Sequence, residues 1–260
     1  MKAEHLAVRR SRWFQAGAVI AAAFVMALAI AALGSQAQGA AAESSQAPLK
    51  IGIIGTGNIG GALAKLWTQA GHEVLISSRH PDQLKELAKS LGPKARVGTP
   101  REAAVFGDVV LLSIPYGATP ALGKDLAGEL KGKILLDTGN PYPGRDGPMA
   151  EDARKRGTGV TSAQFLPGVR LVRAFNAIAA ASLASEAHRS GEQVAIPLAG
   201  DDAKALSVAQ RLVRDAGFDP VVVGGLARAK EFDVGSPPYV KLLTATELRK
   251  LLKAGPNPGK

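Results

Sequence analysis

Lys50-Ile51-Gly52-Ile53-Ile54-Gly55-Thr56-Gly57-Asn58-Ile59-Gly60-Gly61-Ala62 decides how the rest of the chain is read. Leu49 to Ile54 is short, apolar and rich in β-branched residues, the pattern of a strand buried on both faces. Gly55, Gly57 and Gly60 come next in the spacing G-x-G-x-x-G, and Ile59, Leu63, Leu66, Trp67 and Ala70 recur behind them at helical intervals. In such a strand–turn–helix the first glycine permits a sharp turn. The second lets a pyrophosphate approach the backbone, and the third lets the helix pack close to the strand. The helix N-terminus then offers free N–H groups and a positive dipole end to the phosphates. A glycine-rich turn with no ligand has the same letters; the buried strand before it and the amphipathic helix after it are the context a dinucleotide site requires.

Downstream, the alternation continues. Strands are predicted at Glu73–Ser77, 95–97, 109–113 and 133–137, with helices at 82–91, from Thr99-Pro100, and at 118–130. The second half alternates less regularly. It has helices at 149–156, 177–187 and 201–216, with Ala205, Val208, Leu212 and Val213 facing inward. Strands are expected at 170–174, 194–199 and 220–223, then a helix through Phe232 and a last one over 239–252. The pattern predicts an α/β fold: a Rossmann-type doubly wound parallel sheet with a small C-terminal α/β extension. Ligands of such sheets sit at the C-terminal strand ends, so Ser113, Pro115, Asn140 and Pro141 are expected to line one crevice.

The end of the second strand speaks to cofactor type. An NAD site places a carboxylate there for the ribose 2′-OH. This chain has Ser77-Ser78-Arg79-His80, and its nearest acid, Glu73, is at the other end of the strand. Hydroxyls and a guanidinium fork suit a 2′-phosphate, which predicts NADP rather than NAD.

Bulk properties narrow the classes. With no Cys among 260 residues, thiol catalysis, disulfides and thiolate metal sites are excluded. The net charge is +10, of which Lys2, Glu4, Arg9, Arg10 and Arg12 supply +3. The remainder is spread without the basic, aromatic-laced stripe of a nucleic-acid binder. Residues 1–42 have the order of a secretory signal: a basic start, an apolar run from Ala16 to Leu33, then small residues. The run is long enough for an uncleaved membrane anchor, and Arg9-Arg10-Ser11-Arg12-Trp13-Phe14 resembles an imperfect twin-arginine signal. The organisation expected is therefore leader 1–42, linker 43–48, NADP-binding domain 49–147 and extension 148–260 completing the acceptor site. The domain is expected outside the cytoplasm, meeting membrane only through an uncleaved leader. A homodimer is compatible with this reading.

Six segments together resemble NADPH-dependent coenzyme F420 oxidoreductases and the related cytoplasmic domain of six-transmembrane ferric reductases. They are Gly55–Gly60, Ser77–Pro81, Ser113–Pro115, Leu136–Pro141, Val172–Asn176 and Pro197–Asp202. The resemblance runs from about residue 49 to about residue 235. It implies that Thr56, Asn58 and Ile59 meet the pyrophosphate and that Ser78 and Arg79 hold the 2′-phosphate. It also implies that Ser113, Pro115 and Asn140 flank the nicotinamide and its ribose, while Phe175 and Asn176 border a flavin or deazaflavin ring. Methanogen-type members have His where this chain has Asn176; the ferric-reductase domains share the Phe-Asn pair.

Of the four histidines, none has a spacing that suggests a metal site or a triad, and His72 and His188 read as turn residues. No catalytic acid or base is expected. Hydride transfer from NADPH to coenzyme F420, FMN or FAD needs stacking, distance and dry walls, for which Ile114, Phe175 and Ile178 are candidates. An imine or hydroxyacid dehydrogenase and a non-catalytic exported NADP-binding protein are the alternatives.

Overall fold

The computed structural model describes residues 47–257. The leader of residues 1–42, and all of the linker 43–48 but its last two residues, lie outside them. From Pro48 onward the chain packs as one compact unit.

Its centre is a single eight-stranded sheet. The strands are β1 (Lys50–Ile54), β2 (Glu73–Ser77), β3 (Ala95–Gly98), β4 (Val109–Leu112), β5 (Ile134–Asp137), β6 (Arg170–Arg173), β7 (Ala195–Gly200) and β8 (Asp219–Gly224). Their spatial order is β3-β2-β1-β4-β5-β6-β7-β8. The order reverses between β1 and β4, which opens a crevice at their C-terminal ends. Every neighbouring pair is parallel except β6 and β7, which run antiparallel through Val172–Gly200 and Arg173–Ala199. The last three strands thus extend the first sheet.

Both faces are covered. On one, α1 (Asn58–Gln69) packs Leu63, Leu66 and Trp67 into a core with Ile51, Ile53, Phe175 and Phe218. Trp67 is fully buried, and its indole N–H reaches the Leu212 carbonyl at 2.9 Å. That bond ties α1 to the long helix 203–215, whose Ala205, Leu212 and Val213 point inward as expected. Ala70, predicted on the apolar face, is exposed because α1 ends at Gln69. On the other face α2 (Pro100–Phe106) starts in a full capping box, Thr99 with Glu102, and covers Ile54, Val110 and Leu112.

Boundaries moved where caps and turns were hidden. The predicted helix over 118–130 is a 3₁₀ turn and two short helices, Thr119–Asp125 and Ala127–Leu130. The last helix begins at Ala245 rather than Tyr239, because Thr244 and Glu247 form a second capping box. The helix Thr158–Phe165 was not foreseen; its small polar residues Thr158, Gly159, Thr161 and Ser162 are its buried face, and no apolar period marks it. At the outer edge, Asn257 accepts from the Val222 N–H at 2.9 Å and donates to the Pro220 carbonyl at 2.6 Å. Among the described residues no helix is long and apolar enough to cross a membrane.

Candidate functional site

The glycine turn is fixed from below. Backbone N–H groups of Gly55 and Thr56 and the Thr56 hydroxyl all donate to the Ser77 carbonyl, at 3.2, 3.1 and 3.0 Å. Ser77 is itself fully buried and gives its hydroxyl to the Ile53 carbonyl at 2.7 Å. It braces the loop and has no hydroxyl left for a ligand, which corrects its assignment as a contact residue. Gly55 has φ +95°, and a Cβ there would fall 2.3 Å from the Ser113 carbonyl. A Cβ on Gly60 would fall 2.2 Å from the Gly55 carbonyl. Gly57 is different: a Cβ there would meet no protein atom within 4 Å. The fold needs the first and third glycines, whereas nothing in the protein explains the second.

Above this turn, α1 has Gly57 as its N-cap, no side-chain cap and no acid in its first turn. Asn58 is exposed and Ile59 half-buried, so the unpaired N–H groups of the first turn face an open cradle. Ser78 sits at the rim and takes the His80 N–H at 3.0 Å. Arg79 beside it is exposed, and no ion pair engages it among the described residues. Ser113 is anchored by its N–H to the Ile54 carbonyl at 2.9 Å, and Pro115 is exposed at the lip. A cradle free of side chains, a helix start free of carboxylates and an adjacent unpaired guanidinium fit a dinucleotide phosphate.

Across the crevice, the ends of β5 and β6 meet a loop that precedes the last helix. The Asn140 amide donates to the Asn176 carbonyl at 2.8 Å and approaches the Tyr239 hydroxyl at 3.5 Å. Tyr239 and Tyr142 stand hydroxyl to hydroxyl at 2.6 Å. Burial, and then the contact with Tyr142, raise the Tyr239 pKa, so the group stays protonated. Arg145 lies over the Tyr142 ring at 5.1 Å and bonds the Asn140 carbonyl at 2.8 Å. Asp146 accepts the Tyr142 and Gly117 N–H groups, both at 3.0 Å, and so links the β5 loop to the β4 loop. Burial works against its charge, but bonds from Arg145, Tyr142 and Gly117 outweigh that and hold its pKa below the usual carboxylate value.

Beneath these residues lies a buried ionic cluster. Arg173, fully buried, donates to the Gly139 carbonyl at 2.7 Å and pairs with Asp137 and Asp233 at 3.0 Å each. Burial opposes its charge, but the two carboxylates overcome this and raise its pKa. Asn176 reaches both Phe232 and Asp233 at 3.3 Å, and its own Oδ1, like that of Asn140, has no protein partner.

Phe175 requires a correction. Its side chain is fully buried, edge-on to Trp67 and Phe218 with centroids 6.2 and 6.5 Å away. It sits at φ 58°, a left-handed backbone that drives the ring into the core. It can hold the loop of Asn176 in place but cannot stack on a ligand ring. Ile178 is buried in the same core, while Ile114 remains half-buried at the crevice. His72 closes the turn between α1 and β2, as expected, and is buried there: it accepts the Leu49 N–H at 3.0 Å and meets Asp215 at 2.9 Å, a structural bridge. No group that could hold a metal ion exists among the described residues. The sequence pattern missed Tyr142, Asp146, Arg173 and Tyr239; Arg173 and Asp137 lay inside the segments that carried the resemblance.

Residues 50–141 match the family of coenzyme F420-dependent NADP oxidoreductases. The chain is 30% identical over 217 residues to metalloreductase STEAP3 of Rattus norvegicus, covering 84% of this chain but 42% of that protein. It is 29% identical to the F420-dependent NADP reductase of Methanothermobacter marburgensis, covering 77% of this chain and 95% of the relative. Among solved structures, a hypothetical protein from Sinorhizobium meliloti superimposes with TM-score 0.67 and 27% identity, over 76% of this chain and 96% of the other.

Proposed function

We propose that this chain, whose residues 50–141 match the family of coenzyme F420-dependent NADP oxidoreductases, passes a hydride from NADPH to a flavin or deazaflavin ring. The observation that carries the reading is Gly57, whose Cβ position is open space beside an uncapped, acid-free helix start. Such a vacancy has no folding rationale and suits a pyrophosphate.

Bound NADPH supplies the hydride at its nicotinamide C4. The first turn of α1 would hold the pyrophosphate through Thr56, Asn58 and Ile59, and Arg79 with Ser78 the 2′-phosphate. Ser113, Pro115 and Asn140 would border the nicotinamide, and Ile114 would help keep water from it. Asn176 would stand on the acceptor side. Catalysis on this reading is positioning: no side chain has to move a proton before the hydride leaves. The basic-then-apolar leader supports an exported or membrane-anchored location.

The test measures NADPH oxidation by the full chain with coenzyme F420, FMN and FAD in turn, with NADH as control. Turnover with one acceptor, faster with NADPH, is the expected result. Tight NADPH binding without turnover would favour a binding role instead.

A further inference from the structure

Resting on that reading, we propose that the Tyr142 hydroxyl, polarised by Tyr239 and Asn140, donates a hydrogen bond to the acceptor carbonyl that gains negative charge as the hydride arrives. The geometry is compatible with a hydrogen-bond chain that runs outward from Asn140. The Asn140 Nδ2 bond to the Asn176 carbonyl, 2.8 Å, fixes the amide with its NH₂ toward that carbonyl. The same NH₂ faces Tyr239 Oη at 3.5 Å, so that oxygen is the acceptor there. The Tyr239 proton is then free to go to Tyr142 Oη, 2.6 Å away. With that donor order, Tyr142 aims its own proton out of the pair.

Tyr142 is placed for this. It is 38% exposed at the end of β5, beside the crevice, whereas Tyr239 is half-buried behind it. Its ring is held from one side by Arg145 and its N–H by Asp146. A relay of aligned donors strengthens the outermost one, and a donor fixed before the reaction needs no rearrangement during it. In the step, the C4–H bond of NADPH breaks and its electron pair forms the new bond on the acceptor ring. The nicotinamide is oxidised and the acceptor reduced to an anion, whose charge spreads to a ring carbonyl. No proton is transferred in that step; the anion takes one from water afterwards. The substrate class is a planar ring with such a carbonyl, as in the pyrimidinedione of flavins and deazaflavins.

Tyr142→Phe and Tyr239→Phe in the full chain test the assignment. For Tyr142→Phe, kcat/KM for the acceptor should fall about 100-fold, with the NADPH Kd essentially unchanged. At an alkaline pH that keeps the reduced ring deprotonated, reduced FMN should lose about tenfold more affinity than oxidised FMN, since only the reduced ring is then anionic. Tyr239→Phe should give a smaller loss of the same kind. Unchanged turnover in Tyr142→Phe, or equal weakening of both FMN states, overturns the proposal. A wild-type chain that binds NADPH yet reduces no such ring would instead sink the hydride-transfer reading itself.

Discussion

Gly57 and Gly60 lie three residues apart, yet one added methyl group separates their roles. Gly57 has φ −88° and ψ −155°, which alanine adopts, and open space around its Cβ position. Gly57→Ala should leave stability within about 0.5 kcal/mol while weakening NADPH by tenfold or more, read by thermal melting and fluorescence titration. Gly60→Ala forces a Cβ to 2.2 Å from a backbone oxygen and should cost about 1–3 kcal/mol. Arg79→Ala should weaken NADPH about 10- to 100-fold, a charge-assisted bond's worth, and leave NADH within a factor of two. Equal loss for both cofactors would rule out the 2′-phosphate contact. These residues were legible because their chemistry is local: a turn, a cap and a strand end are adjacent in sequence. Phe175 was misread for the opposite reason. The resemblance implies a ring at the acceptor, but Phe175 has a left-handed backbone and its side chain is buried in the core.

At the scale of elements, the loops after β4, β5 and β6 are bound together by charges the alternation of strands and helices does not reveal. Arg173 meets Asp137 from 36 residues away in sequence and Asp233 from 60. Tyr142 and Tyr239 are 97 apart. No spacing rule reaches that far, and the partners of the β6 arginine lie at the end of another strand, β5, and on a distant loop. Arg173→Met leaves two buried carboxylates unpaired and should cost about 3–5 kcal/mol, measured by urea unfolding. Asp146 carries a pH dependence. Its carboxyl titrates below the ordinary 3.8 in the folded state, so its stabilisation is complete above that value and fades as pH falls through the lowered one. Asp146→Asn should therefore be less stable than wild type at pH 7, by about 1–3 kcal/mol. The gap should narrow in strong acid. A constant gap down to pH 2 would refute the assignment.

Over the whole molecule, the fold class could be read from the first 140 residues, because strands and helices alternate there at lengths that only a parallel, doubly wound sheet accommodates. The antiparallel entry of β7 could not, since register and direction depend on which edge a returning strand finds. Eight hydrogen-bonded strands in one sheet predict a single calorimetric unfolding transition for the unit that begins at Pro48. Two transitions would mark a boundary near residue 147. The bridging amide of Asn257 has a wider consequence. A sheet that ends in an open strand is a template on which another chain can crystallise its own strand, and through which fibrils grow. Here one side chain imitates the next strand's peptide group and occupies those two positions on β8, beside a proline that offers no N–H. Asn257→Ala should unmask the edge, seen as scattering that rises with concentration and time while the native protein stays clear. The outer rim of the sheet thus carries its own plug against self-templating at Pro220 and Val222.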